Sequence, residues 1–121
     1  MREAACSCGQ LRVRVDAEPI RVTVCHCLAC QRRTGSAFSV NARFDADAFH
    51  VEGRHTEYVR VADEGGERRF HFCPDCGGTV FYELDGMEGF VAVPVGAFAD
   101  PEFPAPAREI YEERRHGWLH G

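Results

Sequence analysis

The chain has 121 residues, 45% of them hydrophobic, which fits a single domain spanning residues 1–121 with a modest core that a metal staple would help to hold. The net charge of −5 argues against a nucleic-acid partner, which needs clustered cations, but leaves room for a local basic pocket; all 14 cations are arginines. No apolar run approaches the roughly 18–20 residues that span a bilayer, and the N-terminus lacks a signal-peptide core, so no membrane partner and a cytoplasmic location are expected.

Cys6-Ser7-Cys8-Gly9-Gln10 opens the chain with a C-x-C-G turn. Leu11 to Val15 then alternates apolar and polar residues, the period of a half-buried strand. After the break at Pro19, Ile20 to Val24 alternates again and runs into Cys25-His26-Cys27-Leu28-Ala29-Cys30. Gln31 to Gly35 reads as one short helical turn closed by Gly35. Ser36 to Phe44 is a longer strand, with Phe38, Val40, Ala42 and Phe44 on one face.

Ala48 to Val51 and Tyr58 to Val61 are further short strands, followed by a glycine-rich turn over residues 63–67. Arg69 to Phe72 leads into Cys73-Pro74-Asp75-Cys76-Gly77-Gly78, a knuckle whose glycines let backbone amides turn toward sulfur. Thr79 to Glu83 and Phe90 to Val95 are the last strands. From Pro101 onward the chain becomes a proline-rich extended arm ending near Trp118. About eight short strands and almost no helix make an all-β chain of small twisted sheets.

Seven cysteines in a reducing compartment read as metal ligands or reactive thiols rather than disulfides. Two close pairs, Cys6 with Cys8 and Cys73 with Cys76, make one closed Cys₄ zinc site, worth on the order of 10 kcal/mol to folding. The competing reading is that these four are unligated buried cysteines. That leaves Cys25, Cys27 and Cys30, whose spacing lets three sulfurs converge on one metal and leaves a fourth position open.

His26 lies between two of those ligands and should point away, and His50, His55 and His71 are other candidates for closing a Cys₃His site. A metal-free redox cluster is the third alternative. An open three-thiolate zinc is a weak Lewis acid toward water but suits a fourth sulfur, which it deprotonates; carbon–sulfur bond formation or cleavage is then the natural reaction class. Gln31, Arg32, Arg33, Thr34 and Ser36 offer donors to a substrate beside that metal, against the simpler reading of a solvated turn.

The C-x-C-G turn, the C-H-C-x-x-C loop with Gln31-Arg32-Arg33-Thr34-Gly35-Ser36 after it, and the C-x-x-C-G-G knuckle together resemble the glutathione-dependent formaldehyde-activating enzyme family, the domain family of centromere protein V. The resemblance runs from about Cys6 to Trp118. It implies a β-tent of small stacked antiparallel sheets with short helical turns and zinc knuckles. It implies two zinc ions per chain, a structural one on Cys6, Cys8, Cys73 and Cys76 and a catalytic one on Cys25, Cys27 and Cys30. The implied activity is that of a zinc-dependent carbon–sulfur lyase, with a small thiol such as glutathione and a small carbonyl compound as partners. A non-enzymatic zinc-binding scaffold or protein-interaction module is the competing expectation.

Overall fold

A computed structural model describes residues 1–119. Ten strands follow in chain order: β1 (Arg2–Ala5), β2 (Arg12–Val15), β3 (Arg21–Cys25), β4 (Ser39–Asp45), β5 (Phe49–Glu52), β6 (Thr56–Val61), β7 (Glu67–Phe72), β8 (Thr79–Leu84), β9 (Phe90–Pro94) and β10 (Arg108–Ile110). One helix, α1 (Leu28–Thr34), lies between β3 and β4, and short 3₁₀ turns follow β4 and β9 and close the C-terminal arm.

The architecture is all-β, with two stacked sheets. One has three strands in the order β1-β2-β5; the other has seven, in the order β10-β3-β4-β9-β8-β7-β6. Two strands go beyond the sequence reading. β1 is too short and polar to show a period, and β10 sits in the proline-rich arm and is created by pairing: Arg108, Glu109 and Ile110 lie parallel to Thr23, Val24 and Cys25. The expected antiparallel arrangement therefore holds for every pair except β3–β10.

The seven-stranded sheet has two different faces, because side chains alternate along a strand. On β3, Val22 and Val24 point into the core while Arg21, Thr23 and Cys25 face the other way. The register carries this division across the sheet: Val22 lies opposite Ala42 and Ala42 opposite Val93, while Arg21 lies opposite Arg43 and Cys25 opposite Ser39. The three-stranded sheet covers the apolar face. Ala4, Leu11, Val13 and Val15 pack there with Phe44, Val80, Val93 and Phe98. Each buried Val, Leu or Phe among them contributes about 1.5–3 kcal/mol of transfer free energy. Among the described residues no helix is long and apolar enough to cross a membrane.

Candidate metal centres and cleft

The seven cysteines gather into two groups: Cys6, Cys8, Cys73 and Cys76, and Cys25, Cys27 and Cys30, with the sulfurs of each group within 4.8 Å of one another. All seven are free of disulfides.

The first group joins the β1–β2 turn to the β7–β8 turn. Cys6 Sγ and Cys73 Sγ each lie 3.7 Å from Cys8 Sγ. The turns aim N–H groups at the sulfurs: the amides of Leu11 and Asp75 each donate across 3.3 Å, to Cys6 and Cys73. Gln10 Nε2 donates to Cys73 Sγ at 3.0 Å and to the Arg54 carbonyl at 2.7 Å. Desolvation opposes ionisation of Cys73, but the Gln10 side chain and the Cys76 and Asp75 amides outweigh it and hold that thiol down at about 6. The Gly78 amide holds Cys76 low as well. Four soft donors with amide support match what a closed tetrahedral zinc site requires.

The second group is assembled from a strand end and a helix start. Cys25 is the buried last residue of β3, and Cys27 is the N-cap of α1, its Sγ accepting from the Cys30 amide at 3.3 Å. The helix therefore begins three residues earlier than the turn expected at Gln31, since the cap is a cysteine rather than a familiar Ser, Thr, Asp or Asn. Gly35 ends it at φ +69°, a left-handed cap that a β-carbon disfavours.

The three thiols share charge unequally. Cys30 is held low, at about 4, by its hydrogen bond with Cys25, helped by Ser39, Cys27 and the nearby Arg33 cation against the cost of burial. Cys25 is pushed up by that same bond and by burial, and burial pushes up Cys27. Proton sharing lets the bare cluster carry a single thiolate; a divalent cation is what would let all three ionise, so the donor set fits zinc. Among the described residues no histidine or carboxylate joins these three sulfurs. His26 is buried and turns away, its Nε2 donating to Glu109 at 2.7 Å. His50 meets Asp16, and His55 meets His71, which also donates to Glu83.

The polar face of the large sheet forms a cleft of about 440 Å³ with the second cysteine group at one end. Seven of the 14 arginines line it, against three acids, Asp63, Glu64 and Glu113. Phe70 and Tyr82 form an aromatic wall. The Arg33 guanidinium stacks 4.6 Å from the Phe70 ring centre and 5.6 Å from that of Tyr82. Burial keeps the Tyr82 hydroxyl protonated well above its ordinary range. Asn41 donates to Ser39 at 3.1 Å, while its Oδ1, buried in the cleft wall, has no partner among the described residues.

Of the five residues expected to contact substrate, only Arg33 lines this cleft. The Gln31 amide donates to the carbonyls of His26 (2.9 Å) and Arg114 (3.1 Å), and its oxygen meets His116 Nε2 at 2.8 Å. Thr34 returns its hydroxyl to the Cys30 carbonyl at 2.8 Å and accepts the Ser36 amide at 3.1 Å, closing the helix end. Arg32 points to solvent. The sequence reading did not single out Tyr82, Asn41 or the strand arginines Arg21, Arg43, Arg60 and Arg108. A partial signal existed: Arg21 and Thr23 alternate with Val22 and Val24, so they had to leave the core.

The fold and this geometry define a class: stacked β-sheets tied by a four-cysteine knuckle, with three further cysteines at the head of a cationic cleft. The sequence matches the family model described as "Glutathione-dependent formaldehyde-activating enzyme" over residues 1–114, and the chain belongs to that family. A Rhodobacter sphaeroides protein whose crystal structure was solved as a structural-genomics target is similar in fold, with a TM-score of 0.66 and 19% identity; the match covers 88% of this chain and 98% of that one. The sequence finds no significant match among curated proteins.

Proposed function

We propose that this protein is a zinc-dependent carbon–sulfur lyase acting on a small thiol adduct, in the manner of an S-(hydroxymethyl)glutathione synthase. The observation that carries the reading is the second cysteine group: three converging sulfurs, no fourth protein donor among the described residues, and a cleft opening beside them. Family membership supports a thiol such as glutathione and a small carbonyl compound as partners.

Cys25, Cys27 and Cys30 would hold the catalytic zinc, and Cys6, Cys8, Cys73 and Cys76 the structural one. A zinc ion held by Cys25, Cys27 and Cys30 would supply a coordination position that favours the thiolate form of a bound thiol. The remaining work falls to the chain. In the forward direction the substrate sulfur adds to the carbonyl carbon of a small aldehyde; a carbon–sulfur bond forms, and the carbonyl oxygen gains the proton that the thiol gives up. The reverse step breaks the same bond. Tyr82, neutral and in the cleft wall, is suited to donate to that oxygen as charge develops on it. Asn41 Oδ1 offers an acceptor for a substrate N–H. Arg33, fixed by stacking on Phe70, offers a cation beside the sulfurs for a substrate carboxylate.

The test is a metal count with spectroscopy of the cobalt-substituted protein. Two metals per chain, and a change in the thiolate-to-cobalt bands on adding glutathione, are expected. Spectra unmoved by any thiol would count against the enzyme and favour a scaffold, as would a protein side chain found as fourth ligand.

A further inference from the structure

The end of the cleft away from the cysteines carries a second cluster. Arg21 and Arg43 are direct cross-strand partners on β3 and β4. Like charges in that position repel and destabilise a sheet. Arg108 joins them from the other side of β3: it pairs with Thr23, two residues along on the same face as Arg21. All three line the cleft, and none forms an ion pair with a carboxylate among the described residues. Arg43 is half-buried and held in place by Phe90, 5.4 Å from the ring centre, and by Met87 Sδ at 3.6 Å. Other arginines of the chain do find acids: Arg2 with Glu18, Arg69 with Asp85 and, within the cleft, Arg68 with Glu64. Three arginines on one face of one sheet, none of them ion-paired among the described residues, are a local reversal of the field of a chain of net charge −5.

We propose that Arg21, Arg43 and Arg108 form a subsite for a doubly charged oxyanion of the phosphate type. Guanidinium groups match such an anion through paired N–H donors, and three of them would offset their mutual repulsion by sharing it. The anion belongs to the far end of the thiol substrate, a step that rests on the reading of the cysteine end given above; the anion site itself does not depend on it. Arg21 and Cys25 are four residues apart on one strand, roughly 13 Å at ~3.3 Å per residue. The substrate class is therefore an extended thiol with its sulfur at one end and a doubly charged group at the other.

Calorimetric titration of inorganic phosphate into the metal-loaded protein at low salt tests the subsite apart from the thiol. Saturable binding is expected, weakened tenfold or more in Arg43→Gln and several-fold in Arg108→Gln, whose exposed side chain contributes nothing to the core. Arg14→Gln, on the other sheet, should leave it unchanged. No saturable binding, or equal losses in Arg14→Gln and Arg43→Gln, overturns the proposal. A second titration compares 4′-phosphopantetheine with pantetheine, which differ only in the phosphate. The phosphorylated thiol should bind at least tenfold tighter, and the advantage should vanish in Arg43→Gln; equal affinities in the unmodified protein overturn the assignment of the anion to the substrate. Phosphate binding with cobalt spectra unmoved by any thiol, glutathione included, would uphold the anion site and overturn the lyase reading. A thiol response without phosphate binding would do the reverse.

Discussion

His26 and Glu109 meet across 2.7 Å, and this contact ties the cysteine loop to the last strand of the large sheet. His26 is 2% exposed and sits between two sulfurs of the open group, yet it faces the opposite way. Its amide donates to the Ile110 carbonyl at 3.1 Å, so backbone and side chain both anchor β10. Replacing Glu109 by Ala strands a buried ring N–H, a penalty of about 1–3 kcal/mol. A lower melting temperature is expected, with faster hydrogen exchange at residues 108–110 than in β4 or β9. Unchanged exchange there would show that the contact does not hold the arm.

The two cysteine groups should differ in what their loss does. Cys73→Ala opens the clamp between the β1–β2 and β7–β8 turns, and loss of cooperative unfolding is expected, because Cys73 is fully buried and three sulfurs are left facing one another. Cys27→Ala removes one thiol at a cleft edge and should leave the fold intact with one metal fewer. Thermal melts and a metal count on both variants check this; equal losses of stability would argue against a division into structural and catalytic sites.

Chelation should follow the same order. A graded chelator titration is expected to remove one metal per chain first, without change in the far-ultraviolet circular dichroism, and the second only as the protein unfolds. A metal held by three thiolates beside an open cleft would dissociate more readily than one held by four behind amide donors. Simultaneous release of both metals would contradict this.

Gly53 supports the closed site from outside. It lies at φ +103°, and a β-carbon there would overlap the Gln10 carbonyl oxygen. Gln10 in turn donates to Cys73. Gly53→Ala should destabilise by more than ~2 kcal/mol through strain and overlap together, and should loosen the Cys₄ metal. A melting temperature within a degree of the parent would refute the coupling.

Tyr82→Phe separates chemistry from binding. The hydroxyl is protonated at all working pH values, so its loss should lower turnover of a thiol–aldehyde adduct about ten- to a hundredfold while thiol affinity at the metal is kept. Equal loss of both would assign Tyr82 to packing.

Most of the fold was legible because short strands with alternating Val and Arg, such as Arg12–Val15, declare their buried face locally. β10 was not, since Arg108–Ile110 becomes a strand only by pairing with β3. The grouping of four and three cysteines was readable from spacing and count. The cleft-lining side chains were less so: Gln31 and Thr34 stand beside Cys30 in the chain, but their hydrogen-bonding groups are taken up by the arm and the helix end.

The amino-acid sequence by itself determined how the cysteines group, because those that gather lie close in the chain or in close pairs, and such spacing is visible without a fold. Only the tertiary structure decided what surrounds the open group. Arg21, Arg43 and Arg108 come from three separate segments, and nothing local marks them as neighbours; strand register sets them on one face of one sheet, opposite the core that makes that sheet form.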